Sequence, residues 1–272
     1  MINPLVSIIT VTYNARSLLE QTMQSVFSQT YPNIEYIIID GASIDGTVTV
    51  IKKYESKLSF WISEKDNGIY DAMNKGIRLA KGELIGMINA GDYYEPEAVK
   101  SVVKVYSENK DTGIFHGNMN MLNEDGTFFK LKKPNTDLSE LYKGISLFHP
   151  TFFVTSAVYK KIGLYDARFK ISADFDFALR CYRAKVKFFY MDQVITNFRL
   201  GGLSSSGNSK GMYESRDILF KNGYKTKVVN PVFHEWQKTK RKKKLFDAVY
   251  KLLKKILPLS VLNKLASYIS LK

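Results

Sequence analysis

The chain has 272 residues, 45% of them hydrophobic and 24% charged, with a formal net charge of +14. That length holds one large α/β domain with a tail, or two small domains, and a core of that size needs no disulfide. The single cysteine, Cys181, excludes an intrachain disulfide and a cysteine metal cluster.

The opening Met1-Ile2-Asn3-Pro4 lacks the basic start and apolar stretch of a secretory signal, and no run of about 18 apolar residues follows anywhere. The expectation is a cytoplasmic protein without a spanning helix. Residues 5–12 (LVSIITVT) form a continuous run rich in β-branched residues, residues 34–39 (IEYIII) a second closed by Asp40, residues 84–89 (LIGMIN) a third, more apolar than β-branched, and residues 113–116 a weaker fourth. Such runs suit strands buried on both faces, as in a parallel sheet. Between them Leu18, Leu19, Met23, Val26 and Phe27 recur at helical spacing, as do Val48, Ile51 and Tyr54, and then Ala72, Met73, Ile77 and Ala80. The alternation predicts βαβ units and a doubly wound, mostly parallel sheet. Ligands of such sheets bind beyond the carboxyl ends of the strands.

After Gly113 the alternation fails. Residues 118–133 read as a hairpin turning at Glu124-Asp125-Gly126-Thr127, 138–142 as a short helix, and 148–154 as a strand. Residues 173–184 read as an aromatic-rich helix holding Cys181 as a packed thiol, 188–191 and 194–198 as strands, and 201–211 (GGLSSSGNSKG) as a loop. This divides the chain into a domain, 1–235, with an alternating half (1–112) and an irregular half (113–235), and a tail, 236–272.

The tail carries 11 Lys or Arg against Asp247 alone, which leaves only +4 of the +14 on the other 235 residues. Lys238, Lys240, Arg241, Lys242, Lys243 and Lys244 form a basic block. Leu245, Val249, Leu252 and Ile256 then share one helical face, with Lys251, Lys254 and Lys255 opposite. Pro258 ends this helix, and Leu259, Leu262, Leu265 and Ile269 suggest another. A cationic helix with a leucine face fits the surface of an anionic membrane. A helix packed on the 1–235 domain with a solvated basic face is the alternative.

Polar residues follow each strand. Thr12-Tyr13-Asn14 ends the first, and Asp40-Gly41-Ala42-Ser43-Ile44-Asp45-Gly46-Thr47 the second. Asp40 can accept from a base N–H or a ribose hydroxyl, and Tyr13 can stack on a base; equally, Asp40 and Asp45 can cap turns and a helix. Asp66, Asp71, Asn74 and Lys75 share one short segment that could bind a nucleotide or form a capped surface helix. Asn89-Ala90-Gly91-Asp92 puts a carboxylate on the tight turn after a buried strand, where hard oxygen ligands suit Mg²⁺ or Mn²⁺ and Gly91 allows close approach of phosphate. Asp174 and Asp176 open a helix, as caps or with one of them as a general base.

The order of these motifs resembles family 2 glycosyltransferases of the GT-A fold, over about residues 4–200. The resemblance implies a Rossmann-like sheet and a metal-dependent hexosyl or N-acetylhexosaminyl transferase that inverts the anomeric carbon, as in bacterial polysaccharide biosynthesis. It implies that residues 1–112 are the nucleotide-binding half and 113–235 the acceptor-binding half, and that Thr12, Tyr13, Asn14, Asp40, Asp66, Asp71, Asn74, Lys75, Ala90 and Gly91 face the nucleotide, with UDP the expected carrier. It implies Asp92 as the ligand of Mg²⁺ or Mn²⁺ and Asp174 as catalytic base. Asn89-Ala90-Gly91 replaces the first acid of the family's DXD metal motif, so ligation rests on Asp92, donor diphosphate and water. His149, Asp176, Gly202 and Ser204 are candidates for acceptor contact or a lid, with structural roles as the alternative. The expected partners are a nucleotide-sugar donor, a glycan or lipid-linked acceptor, and the inner face of the cell membrane through residues 238–270. A nucleic-acid-binding protein is disfavoured by confinement of the charge to the tail. A nucleotidyltransferase would need a glycine-rich phosphate loop after the first strand, and Thr12-Tyr13-Asn14-Ala15-Arg16 has no glycine. A glycosyltransferase-like protein that binds without catalysis is the remaining alternative.

Overall fold

The structure, a computed structural model, describes residues 3–144, 147–202 and 210–253, with backbone alone for residues 240 and 242–253. Residues 1–222 form one compact unit and residues 223–272 a second.

Valine and isoleucine fill β1 (Val6–Thr12), and every residue of it is buried. A strand with no polar face needs cover on both sides. It lies between β2 (Ile34–Asp40) and β4 (Leu84–Met87), parallel to both, and β3 (Phe60–Ser63) extends the parallel set beyond β2. Helices α1 (Arg16–Phe27), α2 (Thr47–Lys53) and α3 (Ile69–Leu79) make the crossovers. Apolar side chains such as Leu19, Met23, Ile38, Leu84, Phe115 and Phe153 form one buried cluster. The register sets Thr12 beside Asp40 and Asp40 beside Ser63. The three strand ends are therefore level, and the residues after them share one edge.

The second half is mixed, which is why strand–helix alternation fades there. β8 (Phe153–Thr155) runs antiparallel to β4 and to β6 (Ile114–Leu122), β9 (Phe188–Arg199) is parallel to β6, and β5 (Tyr93–Tyr94) is antiparallel to β9. The expected hairpin is present, with β7 (Phe128–Lys132) against β6 and Gly126 at φ +88° in its turn. The weak fourth strand becomes nine residues long because Asn118 and Asn120 interrupt its apolar run without interrupting its pairing. The two strands expected at 188–198 are one, bulged at Asp192-Gln193, where the register jumps from Met191 to Val194. Pro150 belongs to a 3₁₀ turn (His149–Thr151), so the strand expected over 148–154 shrinks to β8. β5, α4 (Ala98–Glu108) and α5 (Ser156–Ile162) complete this part beyond the sequence reading, as β3 does the parallel half. α6 (Ala173–Arg183) matches expectation, and α7 (Lys210–Lys221) follows the glycine- and serine-rich stretch.

In the second unit α8 (Thr226–Leu253) is one helix that runs through the boundary expected at 236 and carries the basic block. Pro258 and the helix expected over 259–269 lie outside the described residues. Among the described residues no helix is long and apolar enough to cross a membrane.

Candidate active site

The edge formed by β1, β2 and β3 is built by hydrogen bonds between loops. Asp40, fully buried, accepts from Ser43 N (2.9 Å), Ser43 Oγ (2.5 Å) and Ser63 Oγ (2.6 Å). Ser43 Oγ also accepts from Asn14 N (2.7 Å), and Asn14 Oδ1 from Ile44 N (3.0 Å), with Asn14 at φ +47°. Asp45 accepts from Arg16 N and Thr47 N, both at 3.0 Å, and so caps α1 and α2. Asp40 thus shapes the loop, and Tyr13, left 64% exposed, is the side chain that the loop presents.

Gly41 shows what faces Tyr13. A Cβ there would lie 2.5 Å from Asp66 Oδ2 and 3.4 Å from Tyr13 Cδ2. Tyr13 and Asp66 therefore close over the glycine, with Asp66 fixed by Gly68 N donating to Oδ1 (2.8 Å). Asp71 accepts from Asn67 N (3.0 Å), and Lys75 pairs with Glu64 (2.8 Å). Gly41→Ala is expected to displace the Asp66 carboxylate and weaken UDP binding about tenfold, roughly the worth of one charge-assisted hydrogen bond, in a calorimetric titration; unchanged affinity would remove Asp66 from the nucleotide site. Asn74 departs from the expectation. Its amide is buried and used at both ends, donating to Tyr165 O (2.8 Å) and accepting from Tyr165 N (3.0 Å), so it joins α3 to residue 165 instead of facing a nucleotide.

The turn after β4 lies next to the end of β1, since Ala90 N donates to Val11 O (3.2 Å). Gly91 has φ +103°, which disfavours any side chain, and Thr22 Oγ1 bonds both Gly91 N and Asp92 O. Asp92 is 4% exposed; Arg199 N donates to its Oδ1 (2.9 Å), and burial pushes its pKa up to about 7. Its Oδ2 has no protein partner among the described residues. Nearby in sequence, Asn89 Oδ1 is a buried acceptor without a donor. A desolvated carboxylate and an orphaned amide oxygen on one turn fit a small hard cation. Among the described residues no group of three or more His, Cys, Asp or Glu could hold a metal, so these two oxygens would need others from a ligand or water.

Asp174 opens α6, half-buried, and its Oδ1 is held twice, by Phe175 N (2.9 Å) and by Tyr70 Oη (3.0 Å). Oδ2 has no protein partner among the described residues. Burial raises its pKa, against the opposing effects of His149, Phe175 N and Tyr70. The same turn reaches the segment that holds Asp66: Tyr70 Oη lies 2.8 Å from Ile171 O, and Lys170 Nζ donates to Asn67 O (2.7 Å). A run of contacts therefore joins Tyr13, Gly41, Asp66, the 67–70 turn and Asp174 along one edge.

His149 and Asp176 are both buried and engaged by protein partners. His149 is buried in an aromatic cluster with its Nε2 2.8 Å from Tyr165 Oη; burial pushes its pKa down. Asp176 is fully buried and engaged by Arg180 Nε (2.8 Å), Lys221 Nζ (2.8 Å) and Asn222 Nδ2 (3.1 Å). It ties α6 to the end of α7. Gly202 is exposed, with nothing within 4 Å of an added Cβ, and Ser204 lies outside the described residues. Sequence reading missed Tyr70, Tyr165, Arg199 and Glu214, whose partners are remote in the chain.

A level edge of parallel strands bears an exposed tyrosine, buried acids on the turns and a half-free carboxylate, and the relatives of the chain are glycosyltransferases that take a sugar from a nucleotide-sugar. The chain belongs to glycosyl transferase family 2, whose model matches residues 7–166. A PGL/p-HBAD biosynthesis glycosyltransferase of Mycobacterium bovis is 28% identical over 216 residues, 76% of this chain and 81% of that protein. The fold is GT-A. Residues 1–349 of S. aureus TarS, solved with UDP-GlcNAc, superpose with a TM-score of 0.65 at 18% identity, covering 86% of this chain and 71% of that one. A longer TarS structure is spanned to 43% of its length. The mannosyltransferase PcManGT from Pyrobaculum calidifontis, solved with GDP-Man and Mn²⁺, gives 0.64 at 17% identity, covering 99% and 81%.

The proton on Asp92 gives one measurable consequence. A carboxyl with an ordinary value of 3.8 and a folded value of about 7 stabilises the fold fully below 3.8, and that contribution is lost as pH rises through about 7. A cation held by Asp92 would compete with the same proton. Mn²⁺-supported UDP binding should therefore strengthen about tenfold from pH 6 to pH 8 and level off above. Titration calorimetry at the two pH values checks this, and a flat profile would take the cation away from Asp92.

Proposed function

We propose that the chain is an inverting glycosyltransferase that moves a hexosyl or N-acetylhexosaminyl group from a UDP-sugar to a hydroxyl of a glycan or lipid-linked acceptor, in surface polysaccharide assembly. The observation that carries this reading is Asp174, one oxygen anchored and the other open, on a turn bonded to the segment that holds Asp66. In the reaction the acceptor O–H gives its proton to Asp174 Oδ2. The oxygen bonds to the anomeric carbon as the bond from that carbon to the diphosphate oxygen breaks, and the electron pair leaves with the nucleoside diphosphate. Attack from the face opposite the leaving group inverts the centre. Tyr13 stacks on the base, Asp66 and the loop shaped by Asp40 hold the nucleoside, and Asn14, Thr12, Asp71 and Lys75 complete the rim.

Asp92 and Asn89 would hold Mg²⁺ or Mn²⁺ together with the diphosphate. The ion's charge would stabilise the departing diphosphate. TarS was solved with UDP and UDP-GlcNAc, and PcManGT with GDP-Man and Mn²⁺; both support a nucleotide-sugar donor and the second a divalent ion. The relative named for PGL/p-HBAD biosynthesis supports a glycosyltransferase that works in a biosynthetic assembly. Residues 238–270 would bring the enzyme to an anionic membrane surface as a peripheral protein at the inner face, with basic side chains worth roughly 1 kcal/mol each there.

The test is a panel of UDP-, GDP- and TDP-sugars with Mn²⁺, scored by nucleoside diphosphate release with and without membrane-extracted acceptor. Acceptor-stimulated release from a UDP-sugar supports the proposal. Release only from GDP-sugars would correct the nucleotide, and no release from any donor would leave a binding protein without catalysis.

A further inference from the structure

The turn that presents Asp174 is gripped from outside its own helix. Glu214 on α7 accepts the backbone N–H groups of three consecutive residues: Lys170 (3.0 Å to Oε1), Ile171 (2.8 Å to Oε2) and Ser172 (3.1 Å to Oε2). Such bonds to a carboxylate are charge-assisted and directional. From the same helix Gly211 O accepts Ser172 Oγ (3.1 Å). On the other side, the single hydroxyl proton of Tyr70 on α3 is shared between two acceptors, the carbonyl of Ile171 (2.8 Å) and Oδ1 of Asp174 (3.0 Å). Ile171 is thus held through its N–H by one helix and through its C=O by another, three residues before the reacting carboxylate.

We propose that Glu214 and Tyr70 are positioning residues: α7 and α3 grip residues 170–172 from two sides and so fix the direction in which the open oxygen of Asp174 points. The inference rests on Asp174 being the base. The groups facing that carboxylate are Tyr70 from α3 and His149 from the 3₁₀ turn, with Tyr165 behind them. Glu214 faces the backbone, and Lys170 reaches away to Asn67. Tyr70 is therefore the hydroxyl whose loss the carboxylate would register directly.

Glu214→Gln keeps the size of the side chain but turns an N–H₂ group toward backbone donors. With the nucleotide sugar turned over in the panel, kcat should fall about 10- to 100-fold, since an ångström of misplacement costs about that much. UDP affinity, with UDP as the binding probe, should stay within about twofold. Tyr70→Phe should move the acidic limb of the kcat–pH profile up by about half to one unit, because the ionised carboxylate loses a donor. Wild-type kcat in Glu214→Gln together with an unmoved profile in Tyr70→Phe would overturn the inference. So would a parallel fall of UDP affinity and kcat, which marks a merely structural role. If Glu214→Gln does not fold, the Tyr70→Phe profile decides alone. Asp174→Asn is run beside them: full activity in that variant sinks the base assignment itself, whereas an inactive Asp174→Asn beside unaffected partners sinks only the positioning role.

Discussion

Asp174→Asn is expected to lower kcat by ~10²–10⁴, the usual worth of general-base help, and to leave the protein at least as stable as before. The asparagine keeps an oxygen for Tyr70 Oη and Phe175 N, the two donors that hold Oδ1. What it loses is the basicity of the open oxygen. The stability half follows from the raised pKa of Asp174, whose first cause is burial. A raised carboxyl contributes stability that is complete below its ordinary value and is lost as pH rises through the folded one. Above that raised pKa the wild-type protein therefore carries a desolvated charge that the variant lacks. Calorimetric Tm at pH 8 should be equal to or above wild type, with the difference closing as pH is lowered toward the ordinary carboxyl range. A variant that loses activity and several degrees of Tm together at pH 8 would make Asp174 a structural acid.

The parallel half of the fold was legible because its signals are local. A continuous run rich in β-branched residues such as 5–12 has few alternatives to a doubly covered strand, and the turn residues after it lie on the ligand edge by topology alone. The other half depends on pairings that periodicity does not encode: β5 and β8 are short, and β9 keeps its path through a bulge. Site chemistry divided in the same way. Asp92 and Asp174 were visible as acids after a strand and at a helix start. Tyr70 and Glu214 act across 104 and about 43 residues, so nothing local marks them. For two residues the signal was present and lost to the motif. Tyr70, Asn74 and Ile77 stand at helical spacing on the buried face of α3, which argues for Asn74 as a core amide. Asp176 lies between Phe175 and Phe177 and four residues before Arg180, the spacing of a helical ion pair.

Asp176 should therefore behave as the opposite of its neighbour two residues away: Asp176→Ala is expected to destabilise the protein by ~2–3 kcal/mol and to spare the chemistry in what remains folded. Removing one member of a buried ion pair costs roughly 3–5 kcal/mol when the survivor stays buried and charged. Here the survivors are only partly covered, with side-chain exposures of 21% for Arg180 and 34% for Lys221, so both can recover water and the loss falls below that range. Arg180 also keeps Ile162 O and Leu164 O, each at 2.7 Å. What is lost is the tie between α6 and the end of α7, since Lys221 and Asn222 both end on Asp176 Oδ1. α7 is also the helix that carries Glu214, so the loosened end lies two turns from the grip on residues 170–172. Chemical denaturation should show a lower midpoint with an unchanged slope, and kcat per folded molecule should fall less than tenfold. A loss of activity as deep as that of Asp174→Asn, with the midpoint unmoved, would exchange the roles of the two acids.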